Sequence, residues 1–173
     1  MAKPRLSDLP SIKQLRDALA YDAETGVLTW KPQPPRRGVR NIAGKEAGWV
    51  QNGYRQLTIG QVTVFSHRVA WALVHGQWPA EFVDHVNMDR TDNRLVNLRL
   101  ATKSENSCNT RARVNNASGM KGVYLCRSTG RWRARIMLGG KSTCLGRFNT
   151  AEAAHEAYRK AAEQVHGEFA RAC

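Results

Sequence analysis

The spacing of apolar residues changes several times along the first half of the chain. Residues 11–20 repeat apolar positions at helical spacing and predict a short amphipathic helix, while residues 27–30 predict a strand after a turn. Residues 54–65 alternate apolar and polar positions on either side of Gly60, which indicates two strands. From residue 67 the pattern becomes helical again and ends at Gly76.

A second pattern follows between residues 80 and 110. Residues 82–86 predict a strand, a polar segment rich in turn-forming residues comes next, and residues 98–101 predict another strand. Thr102 and Glu105 have the spacing of a capping box, so a helix should begin after Thr102. The predicted local order is strand, loop, strand, helix.

The last part of the chain predicts a separate unit. Strand patterns cover residues 122–126, 132–138 and 142–148, and a capped helix follows and ends at Gly167. We therefore expect an α+β protein: an N-terminal mixed region with a strand–strand–helix core, then a three-stranded antiparallel sheet packed on one helix. The expected domain boundaries are 1–112 (core 80–110), a linker at 113–118, and 119–173.

The charge of the chain indicates the class of molecule that it binds. The chain of 173 residues has a formal net charge of +13, and the stretch between Glu105 and Glu152 contains no acidic residue. A field of positive charge attracts polyanions such as nucleic acid.

The chain has no long apolar run and no apolar leader at its start, so we expect a cytoplasmic protein of a phage or its bacterial host and no membrane partner. Its four cysteines form no C-x-x-C pair, which argues against zinc and for free thiols.

The strand–loop–strand–helix segment carries residues suited to hydrolysing a phosphodiester. His85, at the end of a strand, can act as the base that takes a proton from water. Asp84 and Asn106 offer oxygen ligands for a hard cation such as Mg²⁺, although Asp84 points to the opposite side of the strand from His85. Asn97 can accept the proton of one imidazole nitrogen and leave the other for water. Each residue alone is more typical of ordinary loop polarity; the combination of spacings favours a site.

These residues carry a family resemblance. The motifs D-H, D-N-R-L-x-N-L and T-x-S-E-N resemble the HNH endonucleases of phages and introns, and the likeness extends over about residues 18–110. It implies a metal-dependent strand–strand–helix core with His85 as general base, Asn97 as the residue that orients it, and Asp84 and Asn106 as metal ligands. Many members have His at the last position, whereas this chain has the H-N-N pattern of a subset of homing endonucleases. Asn109 is the alternative second ligand.

The predicted C-terminal sheet carries a second candidate site. Alternation along residues 131–138 puts three arginines and a methionine on one face and apolar residues on the other. An arginine-rich sheet face can enter the DNA major groove, although a solvated charged surface is the simpler alternative. Residues 118–170 also resemble the ethylene-response-factor (Apetala-type) DNA-binding domain, but differ at Tyr124, Arg135, Met137 and Cys144. The resemblance implies DNA-facing positions at Lys121, Tyr124, Arg133, Arg135 and Met137, flanked by Arg127 and Arg131.

Together these features predict an HNH-class DNA endonuclease that nicks double-stranded DNA with a single Mg²⁺ or Mn²⁺ ion. No small-molecule cofactor is expected, and the protein is expected to be a monomer. The alternative is a DNA-binding regulator with a decayed nuclease fold. RNA as the substrate is only weakly disfavoured, because no clear platform of stacking aromatic residues is recognisable in the sequence.

Overall fold

The computed structural model describes residues 6–34, 41–109, 116, 118–138 and 140–167. The chain divides into two compact units, Met1–Thr102 and Lys103–Cys173. Most of the predicted linker at 113–118 lies outside the described residues, so the predicted domain boundaries stay a prediction. The fold is mixed α/β with several small antiparallel sheets, which confirms the coarse fold class.

The first unit opens with a helix that is shorter than the sequence predicts. Helix α1 (Ile12–Ala18) is capped by Ser11, whose hydroxyl accepts from the backbone of Gln14. The helix prediction for residues 11–20 was wrong at its end, because Leu19 begins strand β1 (Leu19–Tyr21), which pairs with β2 (Leu28–Trp30). A strand of only three residues has too few positions to show an alternating pattern.

A three-stranded antiparallel sheet and a helix follow. Strands β3 (Trp49–Gln51), β4 (Tyr54–Ile59) and β5 (Val62–Phe65) lie in sequential order, and α2 (Ser66–His75) starts directly after β5. Strand β3 was not predicted. The turn between β3 and β4 consists of Asn52 and Gly53, with φ of 52° and 79°, which is the left-handed pair that tight hairpins prefer.

Strands β6 (Phe82–His85) and β7 (Leu98–Ala101) form a two-stranded antiparallel hairpin, with a long loop between them. A 3₁₀ turn at Leu95–Asn97 ends this loop. Helix α3 (Lys103–Cys108) begins directly after Thr102, as the capping-box spacing predicts. The strand–loop–strand–helix order is therefore present.

The core of the first unit holds these elements together and fixes the end of β6. Its main cluster is formed by side chains from α1, α2 and the first two sheets; these are Leu15, Leu19, Leu28, Ala47, Leu57, Val64, Val69 and Ala72. A smaller cluster joins Ala70 of α2 to Val83 and Leu98 of the β6–β7 hairpin. Burying these apolar groups stabilises the unit by about 25 cal/mol per Å² and holds the hairpin against α2.

The second unit contains a sheet of strands β8 (Val123–Cys126), β9 (Arg131–Leu138) and β10 (Lys141–Phe148), with β9 in the middle. Helix α4 (Ala151–His166) is capped by Thr150, whose hydroxyl accepts from the backbone NH of Ala153 at 3.2 Å. One face of the sheet packs on α4 through a core of Val123, Ala134, Ile136, Ala154, Tyr158 and Ala162. Among the described residues, no helix is long and apolar enough to cross a membrane.

Candidate active site and basic sheet

His85 lies at the end of β6, and its side chain is held by an amide that the sequence analysis did not single out. The residue is 4% exposed, and its Nε2 donates to Asn93 Oδ1 at 3.2 Å. Because an amide oxygen only accepts, this bond keeps the proton on Nε2 and leaves the lone pair of the neutral ring on Nδ1. A neutral ring held in this way can accept a proton at Nδ1.

Asn93 is positioned from the N-terminal part of the chain. The hydroxyl of Tyr21 donates to the backbone carbonyl of Asn93 at 2.8 Å, and the backbone NH of Leu95 donates to the carbonyl of Ala23 at 3.3 Å. Burial raises the pKa of Tyr21 to about 12, with a smaller effect from nearby carboxylates, so its hydroxyl keeps the donated proton. The turn after β1 therefore braces the loop that carries Asn93.

Gly26 brings this turn into direct contact with the loop. Its φ is +75°, and a Cβ built there would stand 2.4 Å from the backbone nitrogen of Arg94 and 2.6 Å from the carbonyl carbon of Asn93. Such distances leave no room for a side chain, so glycine is required by close approach as well as by conformation.

Asp84 faces away from His85, as expected from strand geometry, and is buried with an arginine. It lies opposite Arg99 in the β6–β7 register, and Oδ2 accepts from both Nε and an Nη of Arg99 at 3.1 and 3.0 Å. The two side chains are only 8% and 13% exposed. A carboxylate oxygen is the kind of ligand that a hard cation such as Mg²⁺ prefers, and metal binding by Asp84 stays a prediction.

Asn97 makes contacts that brace the loop. Its Oδ1 accepts from the backbone NH of Asn87 at 2.9 Å, and its Nδ2 donates to the backbone carbonyl of Asp92 at 2.8 Å. The contact with the His85 ring that the sequence analysis predicted for Asn97 is made in the structure by Asn93. A catalytic role for Asn97 stays a prediction.

Several groups around His85 set its protonation. Burial is the largest influence and lowers its pKa, while the Asn93 hydrogen bond and the charges of Asp84, Asp92 and Asp89 act in the opposite direction. The net lowering favours the neutral imidazole near pH 7, which is the form that can accept a proton. The surrounding carboxylates favour the protonated imidazolium form of the ring.

A second histidine lies against His85. The ring of His67, from the first turn of α2, meets the His85 ring edge-on, with centroids 4.9 Å apart and an interplanar angle of 79°. Burial lowers the pKa of His67 to about 3, helped by the charges of His85 and Arg68, so it stays neutral. Its Nδ1 is buried without a hydrogen-bond partner in the described part of the chain. The sequence analysis did not recognise this contact, since residues 67 and 85 are far apart in the chain.

The predicted second metal ligand lies in the other unit. Asn106 is partly buried on α3, and Asn109 follows that helix and is 6% exposed. The choice between them stays a prediction. In the described ranges, no group of three or more His, Cys, Asp and Glu side chains forms a metal cluster.

The second unit has the two sheet faces that the alternation predicts. On β9, Ala134 and Ile136 are buried against α4, whereas Arg131 and Arg135 are exposed and Met137 is 53% exposed. The division of β9 into an apolar and a basic face is therefore confirmed.

Strand register extends the basic face across the sheet. Arg133 pairs with Tyr124 on one side and Arg147 on the other, so these three side chains form a row. Tyr124 is 56% exposed, and the Nε of Arg133 is buried with no hydrogen-bond partner among the described residues. The sequence analysis did not assign Arg147 to this face, because the register shift between Cys144 and Gly146 changes the alternation of β10.

The remaining predicted DNA-facing residues lie at the edges of this face. Arg127 is exposed in the turn between β8 and β9, and Lys121 is partly buried just before β8. Cys126 and Cys144, the two cysteines whose side chains are described, are free thiols as expected. DNA contact by any of these residues stays a prediction.

Comparison with known proteins identifies the class of the first unit. Residues 64–108 match the family model for the HNH endonucleases, a span that includes α2, the β6–β7 hairpin and α3. The chain thus contains an HNH endonuclease domain.

Two viral proteins are similar to a larger part of the chain. Protein 3.8 of Escherichia phage T7 is 32% identical over 106 residues, which are 61% of this chain and 87% of that protein. The uncharacterized HNH endonuclease L560 of Acanthamoeba polyphaga mimivirus is 33% identical over 106 residues, or 60% of this chain and 54% of that protein. The chain belongs to the same family as Protein 3.8. It spans about half the length of L560, and no solved structure matches it.

Proposed function

We propose that this protein is a metal-dependent DNA endonuclease in which His85 is the general base. The observation that carries the proposal is the state of this side chain: buried, with a lowered pKa, and bonded through Nε2 to Asn93. A neutral imidazole with a fixed tautomer presents one defined nitrogen to a proton donor. The HNH domain match at residues 64–108 supports a phosphodiester as the bond that is cut.

The reaction requires one proton to be taken from water and one to be returned. Nδ1 of His85 takes a proton from a water molecule as the water oxygen attacks phosphorus, and the bond from phosphorus to the leaving sugar oxygen breaks. The leaving oxygen then acquires a proton, and the imidazolium loses its own. The carboxylates of Asp89 and Asp92 stabilise the transient cation, since each of them raises the pKa of His85.

Asp84 is the group of the first unit best suited to hold the divalent cation. Asp84 is buried, precedes His85 directly in the chain and faces the other side of β6. Arg99 orients it by donating to Oδ2 of the carboxylate. Asn106 or Asn109 would supply a second oxygen. A bound Mg²⁺ or Mn²⁺ would neutralise charge on the phosphate and on the leaving oxygen.

The basic sheet face of the second unit is the proposed docking surface for double-stranded DNA. Its row of Tyr124, Arg133 and Arg147 combines an aromatic ring with two guanidinium groups. Arg133 is the central member, and its buried Nε, which has no partner within the described part of the chain, favours an anionic or acceptor ligand. Guanidinium groups bind phosphates and guanine edges through paired hydrogen bonds.

A plasmid-nicking assay tests the catalytic proposal. Supercoiled plasmid is incubated with the full chain and Mg²⁺ or Mn²⁺, and EDTA should stop the reaction. His85→Ala should lower the initial rate by about 10²- to 10⁴-fold, the usual contribution of a general base. Retention of a labelled duplex in EDTA should not change.

The matched control is His75→Ala, because His75 is an exposed histidine at the end of α2 that stacks on Trp71 at 4.1 Å. It should cleave like the unaltered chain. Equal cleavage by the His85 variant would refute the mechanism.

The competing function is a DNA-binding regulator whose HNH fold no longer cuts. The observation that favours it is the sheet face of the second unit, whose exposed arginines suit DNA binding without any catalytic group. Duplex binding without metal-dependent nicking would identify this function.

A further inference from the structure

The outer face of the β3–β4–β5 sheet carries aromatic side chains that are not part of the core. The register pairs Trp49 with Gln56 and Gln56 with Phe65, so these three side chains share one face, and Tyr54 lies two positions from Gln56 on the same side. The opposite face carries Leu57 and packs into the main core. We call the face formed by Trp49, Gln51, Tyr54, Gln56 and Phe65 the aromatic face.

The aromatic face is open to solvent and has no cation of its own. Trp49 is 45% exposed and Phe65 is 39% exposed, while the remaining members are two glutamines and a partly buried tyrosine. The side-chain NH₂ group of Gln56 donates a hydrogen bond to Oε1 of Gln51. The guanidinium carbon of Arg90 lies 4.7 Å from the centre of the Tyr54 ring.

This chemistry fits the faces of bases better than a DNA backbone. Duplex DNA presents phosphates at its surface and hides the flat faces of its bases in the stack, so it is bound mainly through cations. Flat aromatic side chains instead stack on bases that have left the duplex, and amides can bond their edges. A cation at the rim, as Arg90 provides, contributes to the same kind of contact.

The aromatic face is continuous with the candidate base. The ring centre of Tyr54 lies 5.3 Å from that of Phe65, 5.6 Å from that of His67 and 6.1 Å from that of His85. Phe65 also stacks on His67 at 5.4 Å, and His67 meets His85 at 4.9 Å. A series of ring contacts therefore leads from Phe65, which is part of the exposed sheet face, to the imidazole of His85.

We propose that the aromatic face binds unpaired DNA bases that adjoin the phosphodiester cut at His85. The location next to the cut bond rests on the proposed nuclease function; the stacking itself does not. The substrate at the moment of cleavage is then locally unpaired DNA, held by stacking at this sheet.

Fluorescence of 2-aminopurine, a base analogue that is quenched by stacking, tests the proposal on the full chain. A single-stranded DNA oligonucleotide with 2-aminopurine at its centre is titrated with the protein in EDTA, so that no cleavage is needed. Trp49→Ala should remove the quenching and weaken binding at elevated salt by about 5- to 150-fold, the range for stacking one base. Trp49→Phe should keep most of both effects.

Val50→Ala is the matched control, because Val50 neighbours Trp49 on β3, is 51% exposed and lies on the other side of the strand. It should behave like the unaltered chain. The same titration is repeated with an RNA oligonucleotide of matching sequence. Unchanged quenching with Trp49→Ala, quenching with the RNA but not with the DNA, or an effect of Trp49→Ala on self-association alone would each overturn the proposal. If plasmid nicking is absent but quenching depends on Trp49, the nuclease proposal fails and the stacking surface remains.

Discussion

Replacing Gly26 by alanine tests whether the turn after β1 holds the His85 site in place. Gly26 has a φ of +75°, and its added Cβ would stand 2.4 Å from the Arg94 nitrogen. The left-handed conformation costs an alanine about 1–2 kcal/mol. Overlap with a backbone that cannot rotate away adds about 1–3 kcal/mol, so the free energy of unfolding should fall by about 2–5 kcal/mol.

Gly44→Ala separates the two contributions. Gly44 has nearly the same φ, +72°, but its Cβ would meet no described atom within 4 Å. Urea denaturation should therefore show a loss of only about 1–2 kcal/mol for Gly44→Ala.

The rate of plasmid nicking should distinguish Gly26→Ala from Gly44→Ala more clearly than their stabilities do. If the loop relieves the overlap by moving, Asn93 moves with it, and a displacement of about 1 Å at a catalytic group can cost on the order of 10²-fold in rate. The initial rate of plasmid nicking should therefore fall strongly for Gly26→Ala and little for Gly44→Ala. Equal stability and equal nicking by the two variants would show that the turn does not support the site.

Three further changes address the tautomer, the second unit and the basic face. Asn93→Ala should lower the nicking rate by about 10- to 100-fold, because it removes the hydrogen bond to the His85 ring; an unchanged rate would refute that role. Gly122→Ala should lower the free energy of unfolding of the second unit, measured by hydrogen exchange, by about 2–5 kcal/mol, because the added Cβ would lie 2.1 Å from the ring of Tyr158 on α4. Gly130→Ala, at a similar φ but with no described atom within 4 Å, should lower it by only about 1–2 kcal/mol. Replacing Arg133 and Arg135 together by alanine should reduce the slope of log affinity against log salt by about 2, and an unchanged slope would argue against DNA contact by this face.

The regular parts of the fold could be predicted because their patterns are long. Strand β9 spans eight residues, so its alternation assigns Ala134 and Ile136 to the core and Arg131 to the surface, and the structure agrees. Strands β1 and β3 span three residues each, too few to show a period. The Asn52–Gly53 pair was a usable hairpin signal for β3 that the sequence analysis overlooked.

The candidate site could be predicted only in part. His85 and Asp84 follow from their place at a strand end, but the partner of His85 depends on how the long loop folds back. Asn93 reaches the imidazole because Tyr21, 72 positions away in the chain, holds its carbonyl. No local pattern encodes such a contact, and the same holds for the meeting of His67 with His85.

The hydrogen bond from Tyr21 to the Asn93 carbonyl has a consequence for how this HNH domain could be exchanged between proteins. The span recognisable as an HNH domain begins at residue 64, yet the loop beside its base is braced by the turn after β1. Recombination that joined residues 64–108 to a new partner would transfer the base without its brace. A graft that keeps this contact would therefore need to begin before Leu19, well ahead of the matched span.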